Sequence, residues 1–438
     1  MAAVADIAAW LAGVAATGWA WNALTPAGGA TRLQRVASAA LAGWVLEGLV
    51  LSLLAGIGAA ITPFAALAPV GPALLIVYRR RSPAPAPSAA APRMRGAALA
   101  LLAVAGARVA AQLWSWPWAQ PWSWDVYAVW GFKARFLVTT GGLWRYLGLA
   151  PTYPFSSADY PPLQSAQLAA ISWPAGDACH AAIPDLVLLI AAGALLFELW
   201  RALVGDVGAA SCVLLLAWPA FPLSAALVGL ADRQLALLAA VVAAIALAPR
   251  DRQDPRVLGV ALAGLAMVKN EGLPFAALLA LGAWLANGRR REMALPALGL
   301  LPAAVWHGAT ATLGTSSARL AGFTAPADLW IALRAALRAS ASLAAVPDWT
   351  VPMIAAALGV TVLMGAPRAR WVAVAICAQL GILTVAIVAG PYPLVWQLST
   401  ALPRLATQLF PVGLACLAGS AAWLSGGPRG RDTRQGTA

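Results

Sequence analysis

Apolar runs of about twenty residues follow one another along almost the whole chain, separated by short arginine clusters. A run of that length is what an α-helix needs to cross about 30 Å of hydrocarbon at about 1.5 Å per residue. Such runs lie at 4–24, 36–57, 61–78, 97–115, 185–204, 208–224, 233–249, 294–312, 350–365, 371–390 and 405–424. A longer stretch, 257–287, is broken by Lys269-Asn270-Glu271-Gly272 with Pro274 just beyond, and reads as two shorter helices forming a hairpin. The runs are continuous rather than alternating, which argues against a transmembrane β-barrel. Only 10% of the 438 residues are charged, too few to cover a water-soluble domain of this size. The expected fold is therefore an all-α polytopic membrane protein of about 13 transmembrane helices.

The arginine clusters set an orientation. An alternating assignment puts Arg32, Arg35, the Arg79–Arg95 segment, Arg201, Arg250–Arg256, Arg289–Arg291, Arg368–Arg370 and the C-terminal arginines on one face, which the positive-inside rule makes cytoplasmic. The net charge of +13 follows from these clusters, so it reads as a topology signal and nucleic-acid binding is not expected. Loop 116–162, Asp232, the Lys269–Gly272 break, loop 313–349 and loop 390–404 then all face outward. The first apolar run has Asp6 near its start and no basic residues before it, so it is expected to stay as a span and not to be cleaved as a signal peptide. The Pro/Arg-rich segment 81–96 reads as a cytoplasmic linker between an N-terminal three-helix extension, 1–80, and a core, 97–312. Residues 313–438 add an outer loop and the C-terminal helices. Of the four cysteines, none forms a CxxC pair, and packing is the expected role; His180 and His307 have no spaced partner and read as structural.

Chemistry is most visible where polar residues interrupt the oil. The stretch Trp114 to Leu163 holds Asp125 after five tryptophans, then Lys133, Arg135 and Arg145, then Asp159-Tyr160-Pro161-Pro162. The tryptophans fit an interfacial aromatic belt. Asp125 fits a cap on a helix starting at Val126, or a carboxylate held at the lipid–water boundary by an amphipathic helix over 126–138. Asp159 to Pro162 reads as a turn with a proline-initiated helix behind it. Asp232 starts an outward helix end, as an N-cap or as a functional acid. Lys269 and Glu271 are an internal pair or a site, since a charge near the bilayer centre costs roughly 2.5–3.5 kcal/mol on insertion scales. Arg404 precedes the last run, as a snorkelling anchor or, being an outward arginine, as a phosphate ligand.

Taken together, Trp124-Asp125 through Lys133 and Arg135, Asp159 to Leu163, Leu230 to Ala236 around Asp232, Lys269 to Gly272, and Arg404 to Pro411 resemble the GT-C superfamily of polytopic glycosyltransferases. The likeness is to glycosyltransferase family 39, the branch of protein O-mannosyltransferases and lipid A aminoarabinose transferases, and covers residues 97–424. It implies a GT-C-like core with a large outer loop containing amphipathic helices, in an inner or plasma membrane with the active site outward. It implies inverting transfer from a polyprenyl-phosphate-linked sugar to a lipid, glycan or protein acceptor. Asp125 would be the general base and Asp232 a second catalytic acid. Asp159, Tyr160, Lys133, Lys269, Glu271 and Arg404 would bind substrate. No cofactor is specified, and the acids leave room for a divalent cation. The chain departs from the pattern at Tyr160, where the family often has Lys or His, and at Val126, where a second acid would follow Asp125. A lipid-linked sugar transporter or flippase, a polysaccharide polymerase or ligase, and an inactive relative are the competing readings. A transporter would instead show midplane charges and an inverted repeat.

Overall fold

The computed structural model describes residues 2–25, 30–79, 94–115, 126–140, 142–149, 157–172, 180, 182–217, 231–313, 334, 358–359, 361, 366–388 and 394–425. Among them every regular element is helical. The N-terminal part has α1 (Ala2–Leu24), α2 (Arg32–Gly56), α3 (Pro63–Ala66) and α4 (Val70–Arg79), so the run expected at 61–78 is two short helices. Next come α5 (Gly96–Ser115), a π-helical turn at Val126–Gly131, α6 (Phe132–Thr140), α7 (Leu143–Gly148) and α8 (Leu163–Ile171). They are followed by α9 (Ala182–Ala217), α10 (Ala231–Leu247), α11 (Pro255–Val268), α12 (Gly272–Ala286) and α13 (Leu301–Thr312). Two C-terminal helices, α14 (Pro367–Val388) and α15 (Leu394–Leu424), complete the set.

Among the described residues three helical segments, Val4–Leu24, Arg32–Gly56 and Ala182–Ala217, are long and apolar enough to cross a membrane, and shorter apolar helices accompany them. The last is bent where Gly205 takes φ 75°, a left-handed conformation that suits glycine, so the two runs expected there meet at a kink. The expected break at Lys269–Gly272 is also present. Lys269 ends α11 in an extended conformation, and α12 restarts at Gly272. A Cβ on Gly272 would run into the carbonyl oxygen of Leu265, so the reversal is tight enough to require glycine. Two boundaries differ from expectation. The segment read as loop 390–404 is helical from Leu394, and α15 runs through Pro403, placing Arg404 inside a helix. The 294–312 run starts as a 3-10 segment over Leu295–Leu300 before α13.

All seventeen residues of α10 are buried, and the helix packs on α9, α11, α12 and α15. Its alanines explain this central place, because small side chains let neighbouring backbones approach closely without lost volume. The 126–140 segment has one face turned into the protein. It packs against α8, with Val126, Trp130, Lys133, Ala134 and Leu137 buried and Arg135 and Thr139 exposed.

Candidate functional site

The first turn of α10 brings Asp232 to a point where side chains from two other helices meet it. The Lys269 ammonium, at the end of α11, lies 3.1 Å from Oδ1 of Asp232. On α15, Arg404 donates from Nε and Nη2 to Oδ2 at 3.0 and 2.8 Å. One turn later Gln408 donates its side-chain amide to Oδ1. Arg404 and Gln408 share a helix face because they are four residues apart. Both oxygens of this carboxylate, itself 1% exposed, are thus taken by donors. Arg404 keeps 30% of its side chain exposed, so its guanidinium edges the site while Asp232 sits at its floor.

A second layer extends this centre toward the 157–162 turn. Lys269 also pairs with Glu271 at 3.1 Å, and the Glu271 carbonyl accepts from Gln379 of α14 at 3.3 Å. Asn270, between the two charges, donates to Oδ2 of Asp159 at 2.6 Å. The Asp159 backbone carbonyl accepts from the Trp306 indole of α13 at 2.8 Å. The turn closes with Tyr160 N–H donating to the Ser157 carbonyl, and Ser157 takes φ 44°. Tyr160 stacks on Trp130 with ring centres 5.3 Å apart. Lys133 is fully buried, and its ammonium donates to the Tyr160 carbonyl at 2.6 Å while lying 5.4 Å from the Tyr146 ring centre.

Of the expected site residues, Asp232, Lys269, Glu271 and Arg404 meet in one cluster. Asp159 joins them through Asn270, and Tyr160 and Lys133 form the adjoining turn. Asp125 lies outside the described residues, as do tryptophans 116–124. Gln408, Asn270 and Trp306 are additions that the sequence does not single out. Gln408 is legible only as the i+4 neighbour of Arg404, Asn270 as the polar residue between two charges, and Trp306 carries no signal. Beside the centre, Gln234 donates to Asp185 of α9 at 2.7 Å, and Arg233 lies 3.9 Å from the same carboxylate. Among the described residues no three His, Cys, Asp or Glu are grouped as metal ligands, since Asp232 and Glu271 are engaged by cations and Asp159 by an amide. The described cysteines are free, with Cys416 buried, Cys212 half-buried and Cys377 exposed. No family profile, curated protein or solved structure matches this chain.

Lys133, in the segment that packs on α8, has a pH consequence. Burial lowers its ammonium to about 7 from the ordinary 10.5, against an opposing pull from Asp159. The unfolded chain therefore binds more protons than the folded one between those values, and stability rises with pH across that window. Below it the cost of a buried charge is present in full. Thermal unfolding in detergent should show a midpoint climbing from about pH 7 to about pH 10, and the climb should flatten in Lys133→Met. An equal climb in both proteins would remove Lys133 as its source.

Proposed function

We propose that the chain is a multi-pass membrane glycosyltransferase, near thirteen spans, that moves a sugar from a polyprenyl-phosphate donor to an acceptor on the outer face of an inner or plasma membrane. The observation that carries this reading is the meeting of Lys269 and Arg404 at Asp232, with Arg404 partly exposed. Two cations held by a buried acid form a preorganised site for a phosphate dianion, which binds by charge-assisted hydrogen bonds. In this reading Asp232 acts as a positioning residue, because its oxygens are already committed to Lys269, Arg404 and Gln408.

The transfer then runs as one displacement. The acceptor hydroxyl oxygen attacks the anomeric carbon, the bond from that carbon to the phosphate oxygen breaks, and polyprenyl phosphate leaves with the electron pair. The acceptor proton passes to the carboxylate of Asp125, and the anomeric configuration inverts. Phosphate is a good leaving group that needs cations more than an acid, so Lys269 and Arg404 supply what departure requires. In this reading the sugar would lie beside the half-buried Tyr160, which the Asp159–Asn270 bond and the buried Trp130 hold in place next to the phosphate site.

Membranes carrying the protein, supplied singly with labelled polyprenyl-phosphate sugars, should consume one of them and release polyprenyl phosphate. Arg404→Gln should raise the donor KM by about 10–100-fold, the worth of one charge-assisted hydrogen bond, with Arg404→Lys recovering part of it. Movement of intact donor across vesicles without release of phosphate lipid would make the chain a flippase and overturn the reading.

A further inference from the structure

At the other end of the helices from Asp232, a groove of about 890 Å³ opens between α1, α2, α11 and the 295–300 segment. The polar end of this groove, at Asp251–Arg256, stands about 25 Å from Asp232 along the seventeen residues of α10. Its lining changes character in one direction on three separate elements. On α2, Gln34, Arg35 and Ser38 give way to Leu46 and Leu49, about 21 Å further along the helix. On α11, Arg256 gives way to Val260 and Ala263. Beyond α12, Glu292 gives way to Leu295 and Leu298, whose side chains are largely exposed. A water-soluble ligand has no use for such a gradient. An amphiphile lying along the helices matches it, with its head among the arginines and its chains on the leucines.

The charge at the head end selects the amphiphile. Most of its charges are already engaged: Glu292 pairs with Arg290 at 2.6 Å, Asp251 lies 3.7 Å from Arg252, Asp254 caps α11 by accepting from the backbone of Arg256 and Val257, and the Arg256 guanidinium donates to the Leu24 carbonyl at 3.0 Å. Gln34 is spent on Arg252, accepting from its guanidinium at 3.4 Å and donating to its carbonyl. Arg35, by contrast, has its Nε buried without a hydrogen-bond partner. The residue lines the groove half-buried, so a phosphodiester oxygen there would be met by the accessible edge of the same guanidinium. Gly259 and Gly299, both lining the groove, pack backbone to backbone, since a Cβ on Gly299 would collide with the Gly259 carbonyl.

The geometry points to a seat for one anionic glycerophospholipid, its phosphate at Arg35 and its acyl chains along Leu46, Leu49, Leu295 and Leu298. Such a seat is independent of sugar transfer and requires only that the chain sits in a bilayer. The full-length protein, purified in detergent and stripped of loose lipid, should retain one phosphatidylglycerol in native mass spectrometry. In competition it should prefer phosphatidylglycerol to phosphatidylcholine by about tenfold. Arg35→Gln should abolish the preference. Ser38→Phe, which fills the groove and keeps the arginines, should abolish retention itself, and thermal unfolding of each variant reports whether it is folded. Equal retention of the two lipids by the wild-type protein, preference persisting in either folded variant, or displacement by glycerol phosphate, which has the head without the chains, would each overturn the assignment. If neither variant folds, the wild-type competition alone decides.

Discussion

Asp232→Asn is expected to unfold or nearly unfold the bundle. The carboxylate is buried and accepts from Lys269, Arg404 and Gln408 at once. Asparagine keeps one oxygen but turns an NH2 group toward groups that are themselves donors, and it leaves two cations without their shared counter-charge. Removing one partner of a buried ion pair costs roughly 3–5 kcal/mol. That is a large part of the 5–15 kcal/mol or so by which a folded domain exceeds its unfolded chain. The unfolding midpoint in detergent or nanodiscs, followed by tryptophan fluorescence, reads the loss directly. A second exchange sharpens the test: adding Lys269→Met to Asp232→Asn removes the ammonium left facing the new amide, and the two changes should be clearly non-additive. A single mutant as stable as the parent would show that Asp232 is not the electrostatic keystone of this end of the bundle.

Asp125→Asn should behave in the opposite way, with transfer lost and stability kept. A positioned general base contributes about 10²–10⁴-fold to rate, and the amide cannot take the acceptor proton. The segment that directly follows, from Val126, is buried and packed on α8, while Tyr160 in the turn before α8 stacks on Trp130. The segment from Val126 onward is thus attached to the same turn that carries Asp159. The decisive comparison is donor turnover beside the unfolding midpoint. Turnover within a few-fold of the parent would end the case for Asp125 as base, even if Arg404→Gln still raised the donor KM. The phosphate site and the base would then be judged separately.

How much of the fold and site can be read from residues alone differs from place to place, for physical reasons. The Lys269–Gly272 break is legible because charges followed by a Gly-x-Pro sequence inside an apolar run interrupt a helix in both hydrogen bonding and hydration. The kink near Gly205 shows as a gap between two runs. The start of α15 is hidden from the sequence because a proline such as Pro403 usually ends a helix, whereas here the helix continues through it. The partnership of Asp232 with Arg404 spans 172 positions, and local spacing holds no information on such a contact. The role of Tyr160 toward Lys133 is hidden in another way. The acceptor is a backbone carbonyl, which every residue type has. The burial of 126–140 escapes notice because a half-polar helix suits a membrane surface as well as it suits a crowded groove in protein.

The spacing of these partners along the chain also has a consequence for biosynthesis. Lys269 follows Asp232 by 37 positions and Arg404 by 172, while Asn270 follows Asp159 by 111. At typical synthesis rates of about 5–20 residues per second, Asp232 waits about 2–7 s for its first cation and about 9–34 s for its second. Asp159 likewise emerges about 6–22 s before its amide partner. The cluster around Asp232 can therefore close only after α15 has been synthesised. Truncation before Arg404 should give a nascent chain that insertion chaperones hold and quality-control proteases remove.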